Sequence, residues 1–500
     1  MNLETILRTN FCCRSYFNRD SIMMDVDSPK FRYTILTLNC LLTFGSYFCF
    51  DMPSTLKSKI QKEVISDFTT DTDIYYNYFY TVYSWTNMLM SLCAGLMVDR
   101  LGKEKSMYIF VSCCLFGSAI YAIGTLLTDL SGQSRYIIMF IGRFIFGLGG
   151  GPITIVQNAF TAFYFSGHEI AMAFGITLTF SRFGSTINYY ITPSIYEEIA
   201  KSTPTYALGI VLSMGSALII ISLFAAVSLA RMDNYAQTHK KGPYAEKKDS
   251  SGKVTPRKKM SISDIKHFPA MYWILAITIS IFYSIIFPFM ADATSYLGTY
   301  TEKFGQDCSV DPDPCTYVTP FGLDDKAATF RAGLVYQCSM VISPFLGKFV
   351  DWFGRRTHIA FFGTALTIPV FLLLDRTTWD PIVAMLLLGT SYSVCAAALW
   401  PSVQLLVPLR TVGTANGVAT AVQMLGIGLA NIAVGILGDQ YSLHDSLTFF
   451  LSLGIASSLM VLTMFFLDRD GKMYTGKRDG SGKADEMKDP LLPKERESLV

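Results

Sequence analysis

Apolar residues in this chain gather into twelve long runs divided by polar turns. They lie at about 33–53, 76–98, 105–127, 136–161, 169–192, 206–230, 271–293, 328–350, 357–375, 381–406, 412–437 and 445–467. Each run approaches the ~20 mainly apolar residues that carry a helix across a bilayer. Six precede a polar stretch at 231–268 and six follow it. The pattern predicts an all-α membrane protein: a tail over 1–32, a six-helix bundle over 33–230, a linker over 231–268, a second bundle over 269–467 and a tail over 468–500. Residues 1–32 are polar and show no cleavable signal peptide, so the first run is expected to direct insertion.

One turn is written twice. Gly95-Leu-Met-Val-Asp99-Arg100-Leu-Gly102-Lys103 follows the second run, and Gly347-Lys-Phe-Val-Asp351-Trp-Phe-Gly354-Arg355 follows the eighth, with the same Gly, Asp and Gly spacing. Repetition across halves of this size marks two similar bundles, a common plan of transporters that alternate access around a central site. Gly95 and Gly347 permit close helix approach, Gly102 and Gly354 a sharp turn, and Asp99 and Asp351 can accept from helix N-terminal amides. Arg143, inside the fourth run, is a guanidinium at membrane depth, which reads by default as a gating or functional group.

Composition removes other classes. Of 500 residues, 51% are hydrophobic and only 16% charged, against about 25% charged in soluble chains. A net charge of +2 gives no basic face for nucleic acid. No Walker loop, Cys/His metal spacing or Gly-x-Ser-x-Gly elbow occurs, so no enzyme, resident metal or cofactor is expected. Lys and Arg crowd the 231–268 linker and both repeated turns, which places these and both termini in the cytosol. Lys57, Lys59 and Lys62, on the opposite side, break that rule. Cys308 and Cys315 flank an acidic loop on that same side and suit either a disulfide or two free thiols. No Asn-x-Ser/Thr sequon occurs.

The repeated turns, together with Arg143-Phe-Ile-Phe-Gly147-Leu-Gly149, resemble the major facilitator superfamily. The resemblance implies its fold, with twelve transmembrane helices in two pseudo-symmetric six-helix bundles, and a cytosolic gate built from Asp99, Arg143 and, less directly, Asp351. Further stretches narrow it: Phe44-Gly-Ser-Tyr47-Phe-Cys-Phe-Asp51-Met-Pro53, Tyr83-Ser-Trp85-Thr-Asn87, Ser181-Arg182-Phe-Gly184-Ser185-Thr-Ile-Asn188 and Ala397-Ala-Leu-Trp400-Pro401. They resemble a lysosomal branch that moves dipeptides and works with a glycosylated single-span accessory subunit. Two departures stand out. Gly151-Pro152 replaces an expected Glu that would meet a substrate amine, and the only acidic dileucine, Leu491-Leu492, lies in the C-terminal tail. Plasma membrane is the alternative location.

A central site would draw on few charges. Arg182, mid-way along the fifth run, suits a peptide carboxylate or a structural salt bridge. Asp51 and Asp292 end the first and seventh runs, as ammonium receptors or solvated helix-end acids. Gln157, Asn158 and Asn188 offer neutral hydrogen bonds or helix glue. Tyr47, Tyr283, Tyr392 and Trp400 suit a pocket wall or plain packing. Arg331 reads as a snorkelling residue. All five histidines lie in turns or at run ends, and carboxylates near the midplane look absent, which points to a uniporter. The expected function is dipeptide transport; organic-anion or other small-metabolite transport is the alternative within the class, and a non-transporting receptor or scaffold the alternative outside it.

Overall fold

The computed structural model describes residue 26 and residues 28–165, 168–239, 268–298, 321–407 and 412–468. The acidic loop with Cys308 and Cys315, the linker lysines and Leu491-Leu492 lie outside the described residues. Twelve long helical segments are present: α1 Pro29–Thr55, α2 Thr72–Leu101, α3 Lys103–Leu126, α4 Gly132–Tyr164, α5 His168–Ser202, α6 Ala207–Thr238, α7 Ala270–Leu297, α8 Asp325–Phe353, α9 in two pieces (Arg356–Ala365 and Thr367–Arg376), α10 Ile382–Leu406, α11 Val412–Gln440 and α12 Leu443–Leu467. Each coincides with one predicted run. α6 continues to Thr238, past the expected end of the first bundle at 230. α9 breaks at Leu366, where Pro369 removes an amide from the ladder and Thr367 turns its hydroxyl to the Thr364 carbonyl at 2.7 Å.

Helix ends follow local chemistry. Ser28, Ser131 and Asp324 accept from the amides of Phe31, Ser134 and Ala327 and open α1, α4 and α8. Gly102 (φ +88°) and Gly354 (φ +71°) turn the chain between α2 and α3 and between α8 and α9, in backbone that other residues adopt at a cost. We call the face carrying these two glycines the turn face and the other the Lys57 face.

Among the described residues, nine helices are long and apolar enough to cross a membrane by length and composition. α2, α5 and α8 are more polar, and the reason is positional. α2 packs on α11 and α5 on α8, across the two halves, so their polar residues meet protein rather than lipid. Two apolar cores result, one drawn from 26–236 and one from 268–464. They interlock at a single level: Tyr189 of α5 belongs to the second core and Ala291 of α7 to the first.

The tightest packing inside the first half joins α3 to α4. A Cβ on Gly142 would fall 2.5 Å from the Tyr121 amide, and one on Gly117 would overlap the Phe146 backbone. Gly175, by contrast, faces open space. Gly142→Leu is therefore expected to cost about 1–3 kcal/mol and to lower the melting temperature in detergent, with Gly175→Leu close to the parent. Equal melting of the two variants would contradict this packing.

Candidate functional site

Midway between the two halves, charged groups of the first bundle meet aromatic groups of the second. α5 places Arg182 there, only 7% exposed. Its guanidinium donates to the Tyr392 hydroxyl of α10 and lies 3.9 Å from the centre of that ring. Tyr392 sits among Tyr283, Phe287 and Tyr336, with ring centres 5.8, 6.2 and 6.4 Å away. Trp400 Nε1 donates to Tyr283 Oη at 2.9 Å. α1 brings in Asp51, 2% exposed, which accepts from Tyr336 Oη of α8 at 3.1 Å beside the Ser185 hydroxyl. Among the described residues, no ion-pair partner lies within 4 Å of Arg182 or of Asp51, and Arg182 Nε has no hydrogen-bond partner. The site thus holds a buried cation and a buried anion, each covered by a tyrosine hydroxyl from the other bundle. Such groups are costly to leave without charge partners.

The remaining candidates divide. Asn188, fully buried, accepts from Thr192 at 2.6 Å and keeps an unpartnered Nδ2. Tyr47 is half-buried on α1. Gln157 is helix glue: it donates to the Asn39 carbonyl (2.8 Å) and the Thr43 hydroxyl (2.9 Å), fixing α4 to α1. Asn158 is exposed. A Cβ on Gly151 would overlap the side-chain amide of Asn87, which reaches across the halves to Met424 Sδ at 3.4 Å. Asn87 therefore fills the space in which a Glu at 151 would begin.

Three expectations need correction. Arg143 does not reach the turn face. It stands 21 residues before Tyr164, the last residue of α4, or about 30 Å of helix rise. Its guanidinium donates to the Phe50 carbonyl at 3.2 Å and lies against Tyr80, Tyr121 and Phe146. The motif was matched by spacing, whereas depth follows from where the helix starts. Arg331 does not snorkel: it forms a two-pronged pair with Asp380, both contacts at 2.9 Å. Nor is the interior poor in carboxylates. Asp292 is 1% exposed, and with Asp51 it removes the premise behind the uniporter argument.

The turn-face residues are apart in this conformation. Among the described residues, no atom of another helix lies within 4 Å of a Cβ built on Gly95 or Gly347. Arg100 and Arg355 are exposed, and Lys103 pairs with Asp233 of its own bundle at 3.5 Å. Asp99 and Asp351 lie in α2 and α8, with side chains outside the described atoms. The cross-bundle bonds instead run from the Lys57 face down to Arg182 and Asn87.

The densest of them were missed by sequence reasoning. Lys57, 2% exposed, stands between Asp73 of α2, at 2.5 Å, and Asp292 of α7. Asp439, near the end of α11, accepts from the Asp73 and Ile74 amides at 2.9 and 2.7 Å and so caps α2 from the other bundle. The available signal was that Lys57 and Lys59 break the charge rule for loops. Both have acids waiting: Lys59 pairs with Asp325 at 3.0 Å.

Two interlocked helical bundles enclosing a charged central site match the plan of membrane transporters built from two similar halves. The chain belongs to the Major Facilitator Superfamily, whose family model matches residues 40–431. It is 31% identical over 442 residues to the lysosomal dipeptide transporter MFSD1 of Danio rerio, covering 87% of each chain. To the Homo sapiens protein of that name it is 30% identical over 444 residues, 88% of this chain and 86% of the other. Among solved structures it is similar in fold to the E. coli xylose transporter XylE in a partially occluded inward-open conformation. That match has a TM-score of 0.65 at 14% identity and covers 87% of this chain and 98% of the other. The nucleoside transporter NupG gives a TM-score of 0.59 at 13% identity, covering 87% and 100%. The protein is a multi-pass membrane transporter for a small molecule, not an enzyme.

Lys57→Ala would leave Asp73 and Asp292 buried side by side, so a loss of about 3–5 kcal/mol is expected. Lys59→Ala removes a surface pair worth about 0.2–1 kcal/mol. Melting curves of the two variants check this, and equal loss would contradict the buried placement of Lys57.

Proposed function

We propose that this transporter carries dipeptides. The observation that supports the reading best is the pair of buried opposite charges, Arg182 and Asp51, each without an ion partner within 4 Å and each covered by a neutral hydroxyl. A free dipeptide offers the two missing charges on one molecule. Its carboxylate replaces Tyr392 on Arg182 through paired hydrogen bonds, and its ammonium replaces Tyr336 on Asp51. Asn188 Nδ2 is available to the peptide carbonyl, while Tyr47, Tyr283, Tyr392 and Trp400 form an aromatic wall that tolerates varied side chains. The substrate named for the relatives, about 30% identical over most of both chains, supports the same class.

The same reading places the protein in the lysosomal membrane with both termini in the cytosol. Its lumenal loops are shielded by a glycosylated single-span accessory subunit, and Leu491-Leu492 serves in sorting. The turn residues Gly95, Asp99, Arg100, Gly102, Lys103, Gly347, Asp351, Gly354 and Arg355 close the cytosolic side in the opposite conformation. Transport is facilitated and needs no obligatory proton. This part rests on Asp51 being answered by the ammonium of the substrate itself and on Asp292 being held by Lys57 while the Lys57 face is closed. Uptake into proteoliposomes is expected to reach the same final level with and without a pH gradient; uphill accumulation driven by that gradient would overturn the uniport reading.

Free dipeptides are expected to raise the melting temperature of the purified protein, and N-acetylated dipeptides to bind about 10–100-fold more weakly, as befits one lost charge-assisted contact. Asp51→Asn should erase that discrimination, and Arg182→Ala should abolish stabilisation by either ligand. The second reading, a carrier of organic anions, draws on two buried arginines, Arg143 and Arg182, facing one buried acid, Asp51. Stabilisation by anions that lack an amine, unchanged in Asp51→Asn, would favour it and contradict the dipeptide assignment.

A further inference from the structure

The Lys57 face is held shut by bonds that run between the bundles, and they share a design. The end of α1 and the residues just past it meet α7: Ser54 donates to the Met290 carbonyl at 2.7 Å, and Lys57, two residues beyond α1, donates to Asp292. Tyr76, one turn below Asp73, donates to the Ala291 carbonyl at 3.1 Å, and its ring lies 5.1 Å from the Lys57 ammonium. Asp439 of the second bundle caps the first amides of α2. Gly435 and Gly438 of α11 allow this approach, since a Cβ on either would come within 3 Å of Ile74 or Asp73. Buried charges are therefore concentrated where the halves must part for a substrate to pass.

We propose that Lys57 is an exchangeable latch, joined by the Asp439 cap, that closes this face and whose release opens it. Its two acids have different loyalties. Asp73 travels with Lys57, since both belong to the first half, whereas Asp292 belongs to the second. When the halves separate, Lys57 keeps Asp73 and is never left as a bare buried cation, and Gln61 continues to bind Asp73 at 2.9 Å. Asp292 alone loses its lysine, and it does so as water reaches it. A lysine with a single acid would either lock the face or leave a lone buried charge; the second acid makes the opening reversible. The Asp439 cap works the same way: parting exchanges a carboxylate for water at the α2 amides.

Asp292→Asn is the variant of choice because it removes the cross-bundle charge while leaving Lys57 its partner Asp73. The full-length protein in lipid nanodiscs, freed of other reactive cysteines, is spin-labelled at Lys201→Cys and Trp379→Cys. These exposed positions lie on opposite halves of the Lys57 face. Pulsed electron resonance is expected to show a short label distance in the parent. In Asp292→Asn, and separately in Asp439→Asn, the population at long distance should rise by about tenfold or more. The double variant Lys57→Asp/Asp292→Lys again holds one lysine between two acids and is expected to restore the short distance. Unchanged distances in both single variants would overturn the proposal, as would a swapped variant that stays open. Asp439→Asn keeps the test decisive if Asp292→Asn fails to fold.

Discussion

A charge inside a protein in a membrane must find a partner, and that constraint organises this molecule. Its apolar residues would be satisfied by many helix arrangements, because lipid accepts them as readily as another helix does. The buried ions are not so tolerant. Lys57 requires Asp73 and Asp292, and the latter sits 235 residues away in the other half. Asp439 requires the bare amides of α2. These few groups fix which faces of α1, α2, α7 and α11 meet, and hence how the halves sit when the Lys57 face is closed. The polar character of α2, α5 and α8 has the same origin.

The central site obeys the same rule with one difference: its charges are left incompletely answered. Arg182 has a tyrosine hydroxyl and a ring face, and Asp51 another tyrosine hydroxyl, but neither has an opposite charge in contact. Ion-paired groups at the Lys57 face and groups without an ion partner at the centre are the physical basis for assigning closure to the first and recognition to the second. A ligand bearing both charges gains most where the protein has withheld its own, and displacing Tyr392 and Tyr336 loosens two cross-bundle bonds in the same event.

Much of the architecture was legible in the chain. Twelve apolar runs became twelve helical segments because length and hydropathy are local properties, and the two repeated turns announced their bends through Gly102 and Gly354. The break in α9 was also written there, in Pro369. What the sequence concealed was depth and pairing. Arg143 carries the spacing of a gate motif, yet lies about 30 Å of helix rise from the turn face. Asp292 looked like a solvated helix end because nothing near it in sequence reveals Lys57. Gln157 and Asn188 are both buried amides, but only the first has its amide hydrogens bound by a neighbouring helix. Gly151 looked like a missing acid, and only packing shows Asn87 in that space. The strongest unused hint was electrostatic: lysines on the wrong side of the membrane have to be explained by acids elsewhere in the fold.

The central question is whether the protein moves a dipeptide through itself. Counterflow tests this most directly: proteoliposomes are loaded with unlabelled dipeptide and diluted into a trace of the labelled one, with no ion gradient imposed. Transient accumulation of label above its outside concentration is expected, and its loss in Arg182→Ala. Absence of exchange, in vesicles whose protein is folded and stabilised by the same dipeptide, would contradict transport and leave a binding protein with a transporter's fold.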